Sequence, residues 1–206
     1  MDVLPKDDII SDITIEKNFI NDIVSARFNS DNIIKFNSFR RSMLSEIPIY
    51  AIEIVIFYVN QSSLYDEMLA HRLGMLVIDN VHFREHFNDQ ILFTVNIIND
   101  KSHNIEFSTD DIPDIQFAYP TPISILRPKE HLHFTFYVRV GTGKTHVKWR
   151  PISMLGYQLV DNKYIEFQFN NLGMLPAEEI ISQGIDHIKD AETAPAPNIF
   201  FKQMVS

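Results

Sequence analysis

Ala177, Ile180, Ile181, Gly184, Ile185 and Ile188 recur at intervals of three and four residues. On a helix that spacing draws one wide apolar stripe, which must be covered by something. Leu175-Pro176 opens the segment, because proline is tolerated in a first helical turn, and Glu178 and Glu179 suit the positive end of the helix dipole. Gly184 sits inside the stripe at a cost of roughly 1 kcal/mol of helix propensity relative to alanine. The pattern predicts close approach of another helix, from this chain or a second one.

Upstream, Ile13–Glu16 and Asp22–Phe28 carry alternating or β-branched residues and predict an antiparallel pair joined near Lys17–Asn21. Over Ile33–Glu46 the period becomes helical, with Phe36, Phe39, Met43 and Leu44 on one face and Asp31 or Asn32 as cap. Pro48 ends that helix. Tyr50–Asn60 reads as a buried strand. A second helix follows, capped by Ser62 or Ser63, with Leu64, Met68, Leu69 and Leu73 on one face and Gly74 as a left-handed terminator.

From Val77 to Gly141 short β-like pieces at Ile91–Ile98, Asn104–Phe107 and His131–Val140 alternate with Asp, Asn and Pro turns, and no helix of convincing length is expected. Pro113, Pro120, Pro122 and Pro128 predict extended surface segments. Tyr157–Val160 and Lys163–Asn170 then read as a hairpin turning at Asp161-Asn162. The expected architecture is α+β, with a main domain from 1–76 and 142–190, an inserted β-rich subdomain at 77–141, and a tail over 191–206.

With 45% apolar residues and 16 Phe in 206 positions, the chain can build a packed core. No apolar run approaches the ~18 residues that cross a bilayer, and the acidic amino terminus lacks a signal-like apolar stretch, so an intracellular protein without membrane contact is expected. The absence of cysteine excludes disulfides and thiolate metal sites. A formal charge of −9 argues for protein partners over direct nucleic-acid binding, since cationic side chains supply most phosphate affinity.

Gly141-Thr142-Gly143-Lys144-Thr145 looks like the end of a phosphate loop, yet Val138 stands where the first glycine of such a loop belongs and Trp149-Arg150-Pro151 cannot open a helix. A basic surface loop is the expected reading. His131 and His133 share a strand face at ligand spacing but lack a third donor nearby. Asp66 and Glu67 point about 100° apart on a helix and make no acid–base pair. Neither a catalytic residue, a cofactor nor a metal is expected.

Four stretches, in order, resemble the assembly subunits of cellular RNA polymerases, the family of bacterial α, archaeal D and the third-largest eukaryotic subunit. They are Phe36-Asn37-Ser38-Phe39-Arg40-Arg41-Ser42-Met43-Leu44-Ser45-Glu46-Ile47-Pro48, Ser63–Gly74 with its Ala70-His71-Arg72-Leu73-Gly74 end, Asp114–Tyr119 with Ile125–Val140 and Gly141–Pro151, including His146-Val147-Lys148-Trp149, and Asn171–Ile180. The resemblance implies a non-catalytic scaffold with an α-subunit-type dimerisation domain interrupted by an insert. It implies a dimer with a smaller α-like (archaeal L-like) subunit through Phe36, Phe39, Met43, Leu44, Ile181, Ile185 and Ile188. It also implies docking of the second-largest, β-type subunit and of small assembly subunits through Arg40, Arg41, Asp66, Glu67, His71, Arg72, Lys144, Lys148 and Trp149.

The chain departs from that family by lacking the cysteine cluster many relatives carry in the insert, and the short stretch after Asp190 is not expected to form a bacterial-type DNA-binding domain. Low glycine and abundant Ile and Asn fit an AT-rich genome, that of a divergent eukaryote or a large DNA virus. The implied location is with the transcription machinery, in nucleus, cytoplasm or, for a viral chain, virion. Two other readings stand beside it: a nucleotide-dependent enzyme using Gly141–Thr145, and an interaction module outside transcription.

Overall fold

The computed structural model describes residues 10–16, 22–86 and 91–193, with the side chains of 86 and 188–193 set aside. Strand β1 (Ile10–Glu16) pairs antiparallel with β2 (Asp22–Phe28), as the alternation predicts; the joining residues 17–21 lie outside the described residues. Near the other end of the chain, β8 (Ile152–Val160) and β9 (Tyr164–Asn171) form the expected hairpin. At its tip Asp161 and Asn162 both take φ 51° and the Lys163 N–H donates to the Val160 carbonyl at 3.0 Å. That left-handed pair matches the twist of the flanking strands and suits Asp and Asn. Because β2 also pairs with β9, the two ends share one sheet of order β1-β2-β9-β8.

Two helices cover one face of this sheet. Helix α1 (Ile33–Ser45) begins where the Asn32 side chain accepts the Ile34 and Lys35 N–H groups, each at 3.1 Å. It buries Phe36, Phe39 and Met43 completely. Their rings and those of the sheet interlock, with Phe28 edge-on to Phe36 at 5.4 Å and Phe39 edge-on to Phe167 at 5.5 Å. Helix α4 (Ala177–Thr193) lies against α1 and adds Ala177, Ile180, Ile181 and Ile185 to the same core.

Strand β3 (Ile49–Asn60) leads into a second, antiparallel sheet. It pairs with β7 (His131–Gly141), which pairs in turn with β4 (Ile91–Ile98). A small ribbon of β5 (Ile105–Ser108) and β6 (Pro122–Leu126), together with α2 (Asp66–Gly74) and α3 (Asn80–His86), encloses a core of Leu69, Leu73, Phe83, Phe93, Phe107, Phe134 and Phe136. The boundary between the two cores falls inside β3, where Ile49 and Ala51 belong to the first and Ile52 to the second. β3 and α2, expected with the terminal segments, therefore share sheet and core with 91–141.

Several local expectations are corrected. α2 starts at Asp66 without a side-chain cap, because Asn60 draws Ser62 into a turn of its own: Asn60 Oδ1 accepts the Ser62 N–H and hydroxyl. Leu64 accordingly precedes the helix. Gly74 is no left-handed terminator; it is the last helical residue, and a Cβ there would lie 3.6 Å from the Ile52 carbonyl oxygen. Helix α3 was not expected, since only seven residues turn and Phe83 is its one fully buried apolar side chain among the described ones. Asp79 starts it by accepting the Val81 and His82 N–H groups at 3.0 and 3.1 Å. Tyr50–Asn60 is not buried throughout either: Ile54, Ile56 and Tyr58 are exposed on the outer sheet face.

Candidate assembly interface

The seam between α1 and α4 is where sequence reading and structure part most. Gly184 is buried in that seam, and a Cβ added to it would come 2.7 Å from Met43 Cγ and 3.0 Å from Phe39 Cε2. The glycine is there to let two helices of one chain approach. Phe36, Phe39, Met43, Ile181 and Ile185 thus pack inside this chain, and Leu44 is half-buried against the same core. Within this chain those side chains cover one another, with Ile181 and Ile185 keeping 3% and 7% of their surface. The Ile188 side chain lies outside the described residues. α1 exposes Ile34, at 78%, and Ile33, at 43%, together with Asn37, Ser38 and Arg41.

Arg40 is held on the helix surface by its neighbour, with Nε and Nη2 donating to Asn37 Oδ1 at 3.1 and 2.8 Å. One turn beyond Arg41, the 141–150 segment closes over the end of α1. The Lys144 N–H donates to the Ser45 carbonyl at 3.2 Å, and the Lys144 ammonium meets the Glu46 carboxylate at 2.6 Å. Gly143 abuts the Leu44 carbonyl and Gly141 abuts the Trp149 ring so closely that a Cβ fits at neither. The Thr145 N–H is engaged by Thr142. Glycines that serve packing, beside amides already bonded, do not form the open nest a phosphate needs.

Trp149 is buried in the first core, and its indole N–H donates to the Arg139 carbonyl of β7 at 3.3 Å. Lys148 beside it stacks 4.4 Å over the Trp149 ring and donates to the Ile52 carbonyl at 2.8 Å. Burial lowers the Lys148 pKa from its ordinary value, with the Glu53 carboxylate opposing that shift. Ile52 O also faces Gly74 at the end of α2, 3.6 Å from where a Cβ on that glycine would stand. The end of α2 and the 141–150 segment therefore meet at one carbonyl on the boundary between the two cores. Sequence order gave no hint of that meeting, because it depends on the pairing of β3 with β7.

On α2, Asp66 accepts from Asn60 Nδ2 at 2.7 Å, Arg72 Nη2 donates to the Pro122 carbonyl at 2.9 Å, and Glu67 and His71 are exposed. The same surface carries Tyr65 at 78% exposure and Met68 at 55%; neither is among the expected docking residues, and Met68 parts from the buried Leu69 and Leu73 with which it was grouped on one face. Their signal was present as i, i+3 spacing but is indistinguishable from a core stripe without the fold. The last stretch, Asn171–Ile180, is a built turn. Asn171 bonds the Leu175 carbonyl and the Gly173 N–H, and Gly173, at φ +81°, packs so tightly on Tyr119 that a Cβ would sit 2.7 Å from its hydroxyl. Burial, then the charge of Asp22, raises the Tyr119 pKa.

No protein-family model matches the chain. Curated relatives do. The chain is 33% identical over 162 residues to DNA-directed RNA polymerase subunit Rpo3 of Methanocaldococcus jannaschii, an alignment covering 75% of this chain and 78% of that one. The chain belongs to the Rpo3 family of RNA polymerase subunits. The Archaeoglobus fulgidus Rpo3 is 34% identical over 66% of the chain and 57% of its own length. A subunit of RNA polymerases I and III, rpac1 of Dictyostelium discoideum, is 31% identical over 60% of the chain and 45% of its own. The Rpo3-family chain thus spans about half the length of these last two relatives. As an Rpo3-family member it is an α-like component of a DNA-directed RNA polymerase. Among the described residues of this Rpo3-family chain, no helix is long and apolar enough to cross a membrane. No group of three His, Cys, Asp or Glu could hold a metal there either.

Proposed function

We propose that the chain is a non-catalytic assembly subunit: it pairs with a smaller α-like subunit and then recruits the β-type second-largest subunit, with small assembly subunits at α2. The observation that carries this reading is the convergence of α2 and the 141–150 segment on Ile52 O, with that segment also bonded to the end of α1. The junction holds Arg41, His71, Arg72 and Lys144 on a stiff base, and a rigid base lowers the ordering cost of docking. Guanidinium groups suit bidentate pairing with a partner's carboxylates. Tyr65 and Met68 supply the apolar centre such a surface needs.

In this reading the first sheet with α1 and α4 is the dimerisation part, and the second sheet with its ribbon is the inserted part. The buried set Phe39, Met43 and Gly184 fixes how α1 and α4 cross, and the smaller subunit docks on their outer face near Ile33 and Ile34. The chain performs no chemical step and works where its cell keeps the transcription machinery.

The test is co-expression with the smaller α-like and β-type subunits of the same source, followed by native mass spectrometry. The expected result is a stable heterodimer that then binds the β-type subunit. A chain that stays alone, or binds the β-type subunit equally well without the smaller one, overturns the ordered-assembly reading.

A further inference from the structure

A cleft of about 530 Å³ is lined by Ile91, Leu92, Phe93 and Thr94 of β4 on one side and by His82, Pro113 and Asp114 on the other. Successive strand residues point to opposite faces of a sheet, so a hollow on a face touches alternate residues. Four consecutive ones can line a single cleft only along the edge of the strand, where backbone groups turn outward. β4 is such an edge, with β7 as its one neighbour among the described residues.

Among the described residues the edge is also unguarded. Natural sheets protect free edges with charges, prolines or bulges, because unpaired N–H and C=O groups accept further strands. The other three outer strands of the two larger sheets each have a break in register: β1 between Ser11 and Thr14, β8 between Ser153 and Leu155, and β3 at two places. β4 keeps an unbroken register from Ile91 to Ile98, and its sequence ILFTVNII contains neither a charge nor a proline. The facing wall carries one carboxylate, Asp114, beside His82 and Pro113. Asp110 and Asp114 are exposed and have no ion-pair partner among the described residues, and Asp111 is on the same stretch.

We propose that this cleft receives an extended segment of another protein, which adds to β4 as a fourth strand and sets a lysine or arginine against Asp114. Backbone pairing supplies the affinity, and Asp114 selects the charge. This goes beyond the docking surface assigned above and does not rest on it.

The full chain, isotope-labelled for NMR, is titrated with three capped peptides: Arg-Val-Thr-Val-Thr-Val, the same with Glu for Arg, and the first with its central Val replaced by Pro. The expected result is shifts at alternate β4 amides and at Asp114. The Arg peptide should saturate at about tenfold lower concentration than the Glu peptide, and the Pro peptide should be silent. Leu92→Lys, at a half-exposed position, should abolish the response, and Asp114→Lys should invert the charge preference. Equal response to the Pro peptide, shifts confined to other surfaces, no response to any peptide, or no charge preference each overturns the proposal. The titration uses the chain alone, so its failure leaves the assembly reading standing, and the reverse holds.

Discussion

Asn80 pairs with Tyr50 as a neighbouring strand would. Its Oδ1 accepts the Tyr50 N–H at 2.6 Å and its Nδ2 donates to the Tyr50 carbonyl at 3.3 Å, with a further bond from Nδ2 to the Ile78 carbonyl. The Asn80 N–H meanwhile donates to the Met174 carbonyl, so one residue fastens the start of β3 to the turn before α4. Asn80 is 1% exposed. Asn80→Ala strands partly buried backbone groups on Tyr50 and should cost about 2 kcal/mol. A thermal melt should fall by about 6 °C for a domain of this size. An unchanged melting temperature would show that water replaces the amide without loss.

Gly184→Ala sets two effects against each other. Alanine recovers about 1 kcal/mol of helix propensity, but its Cβ would lie 2.7 Å from Met43 Cγ in a fully packed seam. Overpacking of that kind costs about 1–3 kcal/mol, so a net loss is expected. Pairing it with Met43→Ala should relieve the clash, and the double mutant should be more stable than the sum of the two single losses implies. Additive losses in chemical denaturation would place the crowding elsewhere.

Helix, strand and hairpin patterns were readable wherever a long period was sampled: α1 with its Asn32 cap, the β1–β2 pair, and the turn at Asp161-Asn162 all follow from local residues. What the sequence did not disclose is which apolar face meets which. The stripe on α4 demands a cover, but periodicity is the same whether the cover is a second chain or Phe39 and Met43 of this one. The extent of β3 was legible and its allegiance was not, because pairing with β7 spans about eighty residues and is decided by tertiary packing. Asn80 was invisible for the same reason: an amide acting as a strand has no local signature.

Two groups should shape the alkaline limb of stability in opposite senses. Lys148, lowered by burial, binds fewer protons folded than unfolded below its ordinary value of about 10.5. Its contribution to stability therefore rises with pH through the interval below that value. Tyr119, raised by burial and by Asp22, stays protonated in the folded state after the unfolded chain has begun to ionise near pH 10, so its contribution to stability falls as pH climbs beyond that point. Tyr119→Phe should remove most of the loss above pH 10, and Lys148→Met should flatten the gain below it. Denaturant midpoints from pH 8 to 11 would read both, and superimposable curves for wild type and variants would refute the assignment.

Arg41→Glu and Ile181→Asp separate surface from core. Arg41 is exposed at the end of α1, so its replacement should change stability by less than about 0.5 kcal/mol. Binding of the β-type subunit to the preformed heterodimer should nonetheless weaken by about tenfold or more, and more steeply at low salt, as for a charge facing a partner. Ile181 is 3% exposed beneath α4, and an aspartate there would be a buried, unpaired charge. That variant should fail to fold, without yielding a folded monomer that merely loses its partner. Circular dichroism and light scattering on the isolated chains distinguish the cases. A folded, monomeric Ile181→Asp chain would return Ile181 to a face between chains, and an Arg41→Glu chain that still binds the β-type subunit at full strength would remove Arg41 from the docking surface.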